Sequence, residues 1–162
     1  MKTGDIFFYS GNTWLSRTIK KFTNCEWSHS GIVFIDNSEI FILELQVRKA
    51  WQLPRVGLTP IEFYKGKKYT TIPYPKKYSI DIGLSMCGTK PYDIATLAVF
   101  QVIRQLSKTY LHKDLWIGRK GNKAANRFVC SEFVAYVINQ STGDFYNWWE
   151  ISPADIYNKL KK

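Results

Sequence analysis

The sequence predicts an α+β fold, in which an antiparallel sheet packs against a helix that carries a cysteine. Strand-like runs occupy the first half of the chain, and helical periodicity occupies the second half. A length of 162 residues, of which 45% are hydrophobic, is sufficient to bury one core. No repeat or low-complexity linker divides the sequence, so we expect a single domain over residues 1–162.

Four segments have the residue types of β-strands. Residues 5–9 (DIFFY) form a short one, and residues 30–35 (SGIVFI) and 39–45 (EIFILEL) form two stronger ones. The residues between the strong segments, 36–38 (DNS), are typical of a tight turn, which predicts a hairpin. Residues 68–72 (KYTTI) are a further strand. The middle of the chain is interrupted by prolines and reads as rich in loops: Pro54, Pro60, Pro73, Pro75 and Pro91.

Two helices are predicted from apolar spacing before the cysteine segment. The first covers residues 13–22, with its apolar side chains expected to face inward: Trp14, Leu15, Ile19 and Phe22. The second covers residues 93–106, where Asp93 can act as N-cap. We expect this second helix to be buried.

Two more helices are predicted near the end of the chain. Residues 128–140 (FVCSEFVAYVINQ) have helical spacing, and residues 141–143 (STG) follow as a stop signal. Residues 153–160 form a short helix, in which Ser152 caps the N-terminus and Pro153 takes the first helical position. This helical half completes the α+β class.

The charge of the chain is strongly basic but spread out. Twenty-three Lys and Arg residues against 13 Asp and Glu give a formal net charge of +10, which favours anionic partners such as phospholipid headgroups or cell-wall polymers. The basic residues form only small groups, and no nucleic-acid-binding motif is present. We expect a solvated basic surface, peripheral contact with anionic surfaces at most, and no specific nucleic-acid partner.

The sequence does not favour a membrane-spanning protein, a secreted protein or a metal-binding protein. The longest apolar stretch, residues 94–103, contains Gln101 and is about half the length that a membrane span needs. The N-terminus lacks the pattern of a secretory signal, so we expect a cytoplasmic chain. Cys25, Cys87 and Cys130 are widely spaced and accompanied by only two histidines, which favours neither disulfides nor a zinc site. We therefore expect no metal and no cofactor.

Cys130 is the candidate nucleophile. It lies near the start of its predicted helix, where free backbone N–H groups and the helix dipole favour a thiolate. Phe133, Val134 and Val137 place the same helix face against the interior. A cysteine on such a face is more often an inert small hydrophobe, so Cys130 needs support from a base elsewhere in the chain.

His29 and Glu44 supply that support on the predicted hairpin. His29 enters the first strand, where an imidazole can accept a thiol proton if a partner orients its other nitrogen. A turn centred between Asp36 and Asn37 places Glu44 opposite His29, and a turn centred one residue later leaves the two diagonal on one face. A loop of odd length places Glu44 on the other face. Glu44 on its own is equally compatible with a strand-end side chain that reaches solvent or pairs with Arg48.

Five short motifs occur in a shared order: residues 4–7 (GDIF), 28–31 (SHSG), 43–44 (LE), 91–93 (PYD) and 130–133 (CSEF). In this order the sequence resembles a circularly permuted NlpC/P60 protein of the YiiX-like kind, in which the histidine strand precedes the cysteine helix. The lecithin:retinol acyltransferases are related to this group. The resemblance spans residues 4–140 and implies a permuted papain-like fold.

The resemblance also implies roles for individual residues. Cys130 would be the nucleophile, His29 the general base and then acid, and Glu44 the orienting group of a thiol hydrolase that forms an acyl-enzyme. Tyr92 matches the family's Gly-then-Tyr segment and would line the substrate site, although an aromatic residue at a helix entrance is equally ordinary. Trp27, beside His29, is a second candidate for a substrate wall, with a core position as its alternative.

The substrate class stays open at the level of sequence. A peptide or cell-wall peptide amide ranks slightly ahead of an acyl lipid, on which the same triad would act as a lipid acyl hydrolase or acyltransferase. A third reading is a non-catalytic module that binds anionic membranes or polymers through its lysines. His112 is the only other histidine and thus the only alternative base.

Overall fold

The computed structural model describes residues 1–46, 55–88 and 129–162. In these ranges the chain forms five strands, four α-helices and two 3-10 helices. In chain order they are β1 (Ile6–Tyr9), α1 (Trp14–Thr23), β2 (His29–Asp36), β3 (Glu39–Gln46), β4 (Arg55–Pro60), a 3-10 helix (Ile61–Tyr64), β5 (Tyr69–Ile72), α2 (Asp81–Ser85), α3 (Cys130–Thr142), a 3-10 helix (Trp148–Glu150) and α4 (Pro153–Leu160).

The strands form one antiparallel sheet in the order β4-β3-β2-β1-β5. This sheet and its helices confirm the predicted α+β class. The predicted strands are confirmed as β1, β2, β3 and β5, whereas β4 and the 3-10 helix that follows it replace part of the loop expected in the middle of the chain. Pro60 ends β4 at the edge of the sheet, where the missing N–H of a proline costs no ladder hydrogen bond.

The turn of the β2–β3 hairpin sets the register of the sheet. Asp36 pairs with Glu39, so the loop consists of Asn37 and Ser38 alone, with φ angles of 45° and 69°. Two positive φ angles are typical of the tight hairpin turns whose twist matches that of the flanking strands. The turn is therefore centred between Asn37 and Ser38, which is the second of the two even-length alternatives expected from the sequence.

The two faces of the sheet bury different clusters. On one face, Ile6, Phe8, Ile32 and Leu43 pack with the helices, through side chains such as Phe133 of α3. On the other face, a smaller cluster is formed by Phe7, Val33, Ile42 and Tyr64, the last of which comes from the 3-10 helix after β4. Because side chains alternate between faces along a strand, His29 and Glu44 share the face of Val33 and Ile42.

Helix α1 begins one residue later than predicted, because Thr13 is its N-cap and accepts a hydrogen bond from the backbone N–H of Ser16 at 3.1 Å. The expectation that Trp14 faces inward is wrong, because 75% of its surface is exposed. Ile19 is the residue that is buried, and it packs against Val129 and Leu15. Trp14 and Ile19 point in directions about 140° apart on a helix with 3.6 residues per turn, so one narrow face cannot hold both.

The C-terminal helices follow the sequence closely. Helix α3 ends at Thr142, two residues beyond the predicted end, and Gly143 is its C-cap, whose φ of 70° allows its N–H to bond to the carbonyl of Asn139. Helix α4 begins with Pro153 after the cap Ser152, as predicted. The predicted helix over residues 93–106 lies outside the described residues. Across the described segments, no helix has the length and apolar character that crossing a membrane requires.

Replacing Gly31 with Ala should destabilise the fold at the point where β2 passes Glu44. An added Cβ would lie 2.6 Å from Ile42 Cγ2 and 3.1 Å from the Leu43 carbonyl oxygen. We expect the free energy of unfolding to fall by about 1–3 kcal/mol, as in other overpacked cores. Chemical denaturation monitored by circular dichroism measures the change.

The neighbouring substitution Ser30→Ala is the matched control for this prediction. Ser30 is equally buried, and its Oγ has no hydrogen-bond partner among the described residues, so we expect a change below about 1 kcal/mol. Equal stability losses in the two variants would contradict the steric role of Gly31.

Candidate active site

Cys130 lies at the first position of α3 and only 2% of its surface is exposed. The N-terminus of the helix is capped by Glu132, whose carboxylate accepts a hydrogen bond of 3.0 Å from the backbone N–H of Val129. The backbone N–H of Ser131 donates to the sulfur, as expected at a helix start where N–H groups have no partner within the helix. The helix terminus therefore favours the thiolate form of Cys130.

A second backbone donor reaches the sulfur from strand β2. The backbone N–H of Val33 donates to the carbonyl of Asp5 on the β1 side of the strand. Because N–H groups alternate in direction along a strand, the N–H of Ser30, three residues earlier, points towards β3 instead. The ladder between β2 and β3 runs only from the Ile32–Leu43 pair to the turn. Beyond that ladder the N–H of Ser30 donates to Cys130, which places the nucleophile at the end of the central strand.

His29 stands at this same end of β2, opposite Tyr9 on β1. Its side chain is 21% exposed, and its Nε2 lies 2.6 Å from Oε2 of Glu44. This contact leaves Nδ1 as the ring nitrogen that can exchange a proton with Cys130. The structure thus brings together the three residues that the sequence singled out, with Glu44 diagonal to His29 and beside Gly31 rather than opposite His29.

Glu44 is almost fully buried, with 3% of its surface exposed, and both of its oxygens are bonded. Thr59 donates its hydroxyl to Oε1 at 2.5 Å, and Tyr64 donates to Oε1 and Oε2 at 2.8 and 2.7 Å. Both donors come from the β4 segment and its 3-10 helix. The alternative of a strand-end glutamate that reaches solvent is wrong, because Glu44 is buried. Arg48, the other partner considered from the sequence, lies outside the described residues.

The sequence did not point to Thr59 or Tyr64. The one signal that could have found them is indirect, because a carboxylate inside the apolar run of β3 requires donors. Those donors stand in a segment that its prolines marked as a loop, and their approach depends on β4 pairing with β3 so that Gly57 lies opposite Glu44.

The charges of His29 and Cys130 stabilise each other. Burial lowers the pKa of His29, but attraction to the Cys130 thiolate and the Glu44 carboxylate, with hydrogen bonds that the imidazolium donates to both, outweighs burial and raises that pKa to about 10. Burial raises the pKa of Cys130, while the positive charge and hydrogen bond of His29 and the two backbone donors lower it below its ordinary value. Both shifts favour the thiolate–imidazolium pair over the neutral thiol and imidazole.

Tyr64 stays protonated throughout the physiological range. Burial, together with the negative charge of Glu44 and their hydrogen bond, raises the pKa of Tyr64 far above its ordinary value. The phenol is therefore a permanent donor to Glu44, and it keeps the carboxylate in position to bind the imidazolium.

The remaining sequence candidates fall into two groups. Trp27 is placed in the core, 3% exposed, with its ring 6.4 Å from Phe8 and 5.8 Å from Tyr157; its role as a substrate wall stays a prediction. Tyr92 and His112 lie outside the described residues. Cys25 and Cys87 are half-buried free thiols.

Comparison with known proteins supports the fold. No protein-family model and no curated protein sequence matches the chain. Among solved structures, the chain is similar to the crystal structure of the metalloprotein yiiX from Escherichia coli O157:H7 (DUF1105), with a TM-score of 0.51 and 17% sequence identity over 97% of this chain and 92% of that one. The described architecture is therefore consistent with a YiiX-like α+β fold.

The ionic state of Cys130 gives a direct test of the site. We expect a thiolate ultraviolet absorbance at neutral pH that disappears in Cys130→Ser. In His29→Ala the thiolate should appear only at higher pH, by at least roughly one unit, because burial remains while the attraction to the imidazolium is lost. Cys87→Ser serves as control and should leave the neutral-pH signal unchanged. A thiolate titration that is the same with and without His29 would contradict the pairing.

Removing the Tyr64 hydroxyl should weaken the support of Glu44. We expect Tyr64→Phe to lower the free energy of unfolding by about 1.5–3 kcal/mol, the usual contribution of a hydrogen bond to a charged group. The matched control is Tyr69→Phe, because Tyr69 packs on the same Phe7 ring without bonding to Glu44, and it should cost less than about 1 kcal/mol. Similar losses in both variants, measured by urea denaturation, would assign the effect to ring packing.

Proposed function

We propose that the chain is a cysteine hydrolase that cleaves an amide bond, in a peptide or cell-wall peptide, through Cys130, His29 and Glu44. The observation that carries this proposal is the buried Glu44 carboxylate, 2.6 Å from Nε2 of a histidine that also interacts with Cys130. Acyl transfer requires a nucleophile, a base next to it, and a third group that orients the base.

In the acylation step, the Cys130 thiolate attacks the carbonyl carbon of the substrate and forms the carbon–sulfur bond. The carbonyl oxygen gains negative charge, which the free N–H groups at the start of α3 are placed to stabilise, with that of Cys130 itself as the first candidate. The carbon–nitrogen bond then breaks, and the leaving amine takes the proton of the His29 imidazolium. The products of this step are an amine and a thioester on Cys130.

In the deacylation step, the neutral His29 accepts a proton from water as the water oxygen attacks the thioester. The carbon–sulfur bond breaks, a carboxylic acid leaves, and the thiolate–imidazolium pair is restored. Glu44 keeps the ring oriented through both proton transfers, because Thr59 and Tyr64 hold its two oxygens. An acceptor other than water would turn the same step into acyl transfer.

A permuted NlpC/P60 relationship is part of this proposal. It is supported by the order of the histidine strand and the cysteine helix, and by the likeness to a YiiX-like fold. The alternative substrate is an acyl lipid ester, on which the same three residues would act. The alternative to an enzyme is an anion-binding module, in which Cys130 would have no turnover.

The metal chemistry of the similar metalloprotein does not transfer to the described residues. In the ranges that the structure describes, no group of three or more His, Cys, Asp or Glu side chains is arranged to hold a metal ion. Both oxygens of Glu44 and Nε2 of His29 are engaged, which leaves Nδ1 of His29 and the Cys130 sulfur as donors. The proposed reaction is therefore written with Cys130, His29 and Glu44 alone.

Turnover that depends on Cys130 tests the proposed function. We expect amine release from a cell-wall peptide preparation, and an acid-stable acyl group on Cys130 in intact-protein mass spectrometry. Cys130→Ala should reduce amine release by more than about a thousandfold, the scale of losing a catalytic nucleophile. Cys87→Ser is the control thiol variant.

Phosphatidylcholine vesicles are tested in parallel. Fatty-acid release without amine release would replace the amide substrate by a lipid ester, and no release from either substrate would favour the binding module.

A further inference from the structure

The sheet face that carries His29 also carries an unusual cation. Lys67 extends over three aromatic rings, with its Nζ 3.6 Å from the centroid of Phe63, 5.5 Å from that of Tyr64 and 6.0 Å from that of Tyr9. The backbone holds it there, since the N–H of Lys67 donates to the carbonyl of Tyr64 at 2.9 Å across a turn in which Gly66 has a φ of 75°. Lys67 is thus an exposed ammonium in a restrained position.

Two of those rings connect Lys67 to the active site. Tyr64 donates its hydroxyl to Glu44, which binds His29. Tyr9 is the strand partner of His29 on β1, and its ring lies 5.1 Å from that of Tyr64. Side chains directly opposite each other on one sheet face are about 5 Å apart at Cβ. Tyr9 therefore neighbours both the ammonium of Lys67 and His29.

Within the described parts of the chain, Lys67 forms no ion pair. Its neighbour Lys68 binds Glu26 at 2.5 Å and Lys76 binds Asp144, but across residues 1–46, 55–88 and 129–162 no carboxylate lies within ion-pair distance of Lys67. The aromatic rings beneath it supply attraction without neutralising its charge. A restrained cation on the sheet face that carries His29 is suited to recognising an anion on the substrate.

Building on the proposed function, we propose that Lys67 binds a carboxylate of the substrate close to the bond that Cys130 attacks. One ammonium provides one positive charge, which matches the single negative charge of a carboxylate. The exposed ring of Phe63, 62% accessible, offers an apolar surface to the atoms that join this carboxylate to the reacting carbonyl. The substrate class is therefore an acyl compound with an acidic group on its acyl side chain.

Two para-nitrophenyl esters of equal chain length test this inference. The glutaryl half-ester carries a terminal carboxylate and the pentanoyl ester does not. We expect wild-type kcat/KM to favour the glutaryl ester by roughly fivefold, the effect of one partly exposed ion pair, and this ratio to decrease in high salt. In Lys67→Met the ratio should fall to about one, whereas in the control Lys65→Met, which changes an exposed lysine of the same turn, it should stay at the wild-type value.

A binding measurement separates this inference from the proposed function. Glutarate should slow alkylation of Cys130 by iodoacetamide in the wild type and in Lys65→Met but not in Lys67→Met, as measured by peptide mass spectrometry. Protection by glutarate without ester turnover would refute hydrolysis and retain the carboxylate site. Turnover with equal ester ratios, or equal protection in the Lys67 and Lys65 variants, would refute the carboxylate site and retain hydrolysis.

Discussion

The buried carboxylate of Glu44 is the constraint on which the site depends. An ionised carboxylate inside an apolar sheet face is costly unless every oxygen is bonded, and here three side chains from three different segments meet that requirement. Removing any one of them leaves a buried charge short of a partner. The same network sets the direction of the His29 ring and raises its pKa, so stability and chemistry at this position have one physical origin.

The placement of the nucleophile follows from how the helix and the sheet meet. Helix α3 packs on the sheet face of Ile32 and Leu43, whereas His29 and Glu44 project from the other face. The two sets come together only at the end of β2, where the ladder to β3 has stopped and the N–H of Ser30 is free to reach the sulfur. A nucleophile at the first helical position can therefore be buried in the fold and still border the exposed edge of His29.

The chemistry and the fold are supported by separate observations. The likeness to a structure at 17% identity concerns the backbone, and it supports an α+β fold of the YiiX-like kind. The proposal of acyl transfer comes from the mutual charges of Cys130 and His29, and the proposed carboxylate preference comes from Lys67 and its aromatic support. The proposed acyl transfer and the proposed carboxylate preference therefore depend on particular side chains and not on the backbone fold.

Local patterns in the sequence determined most of the elements and the identities of Cys130, His29 and Glu44, because alternation, capping residues and turn residues act over a few positions. The length of the hairpin loop decided whether Glu44 and His29 share a face, and the residue types of 36–38 left that length open. Asn37 and Ser38, both with positive φ, form a two-residue loop that places the two side chains on one face. Only the tertiary structure could supply Thr59, Tyr64 and the free N–H of Ser30, since strand pairing between distant segments creates those contacts. The exposure of Trp14 also could not be read from the sequence. Apolar spacing identifies a helix, but the segments that pack against the helix decide which of its sides is buried.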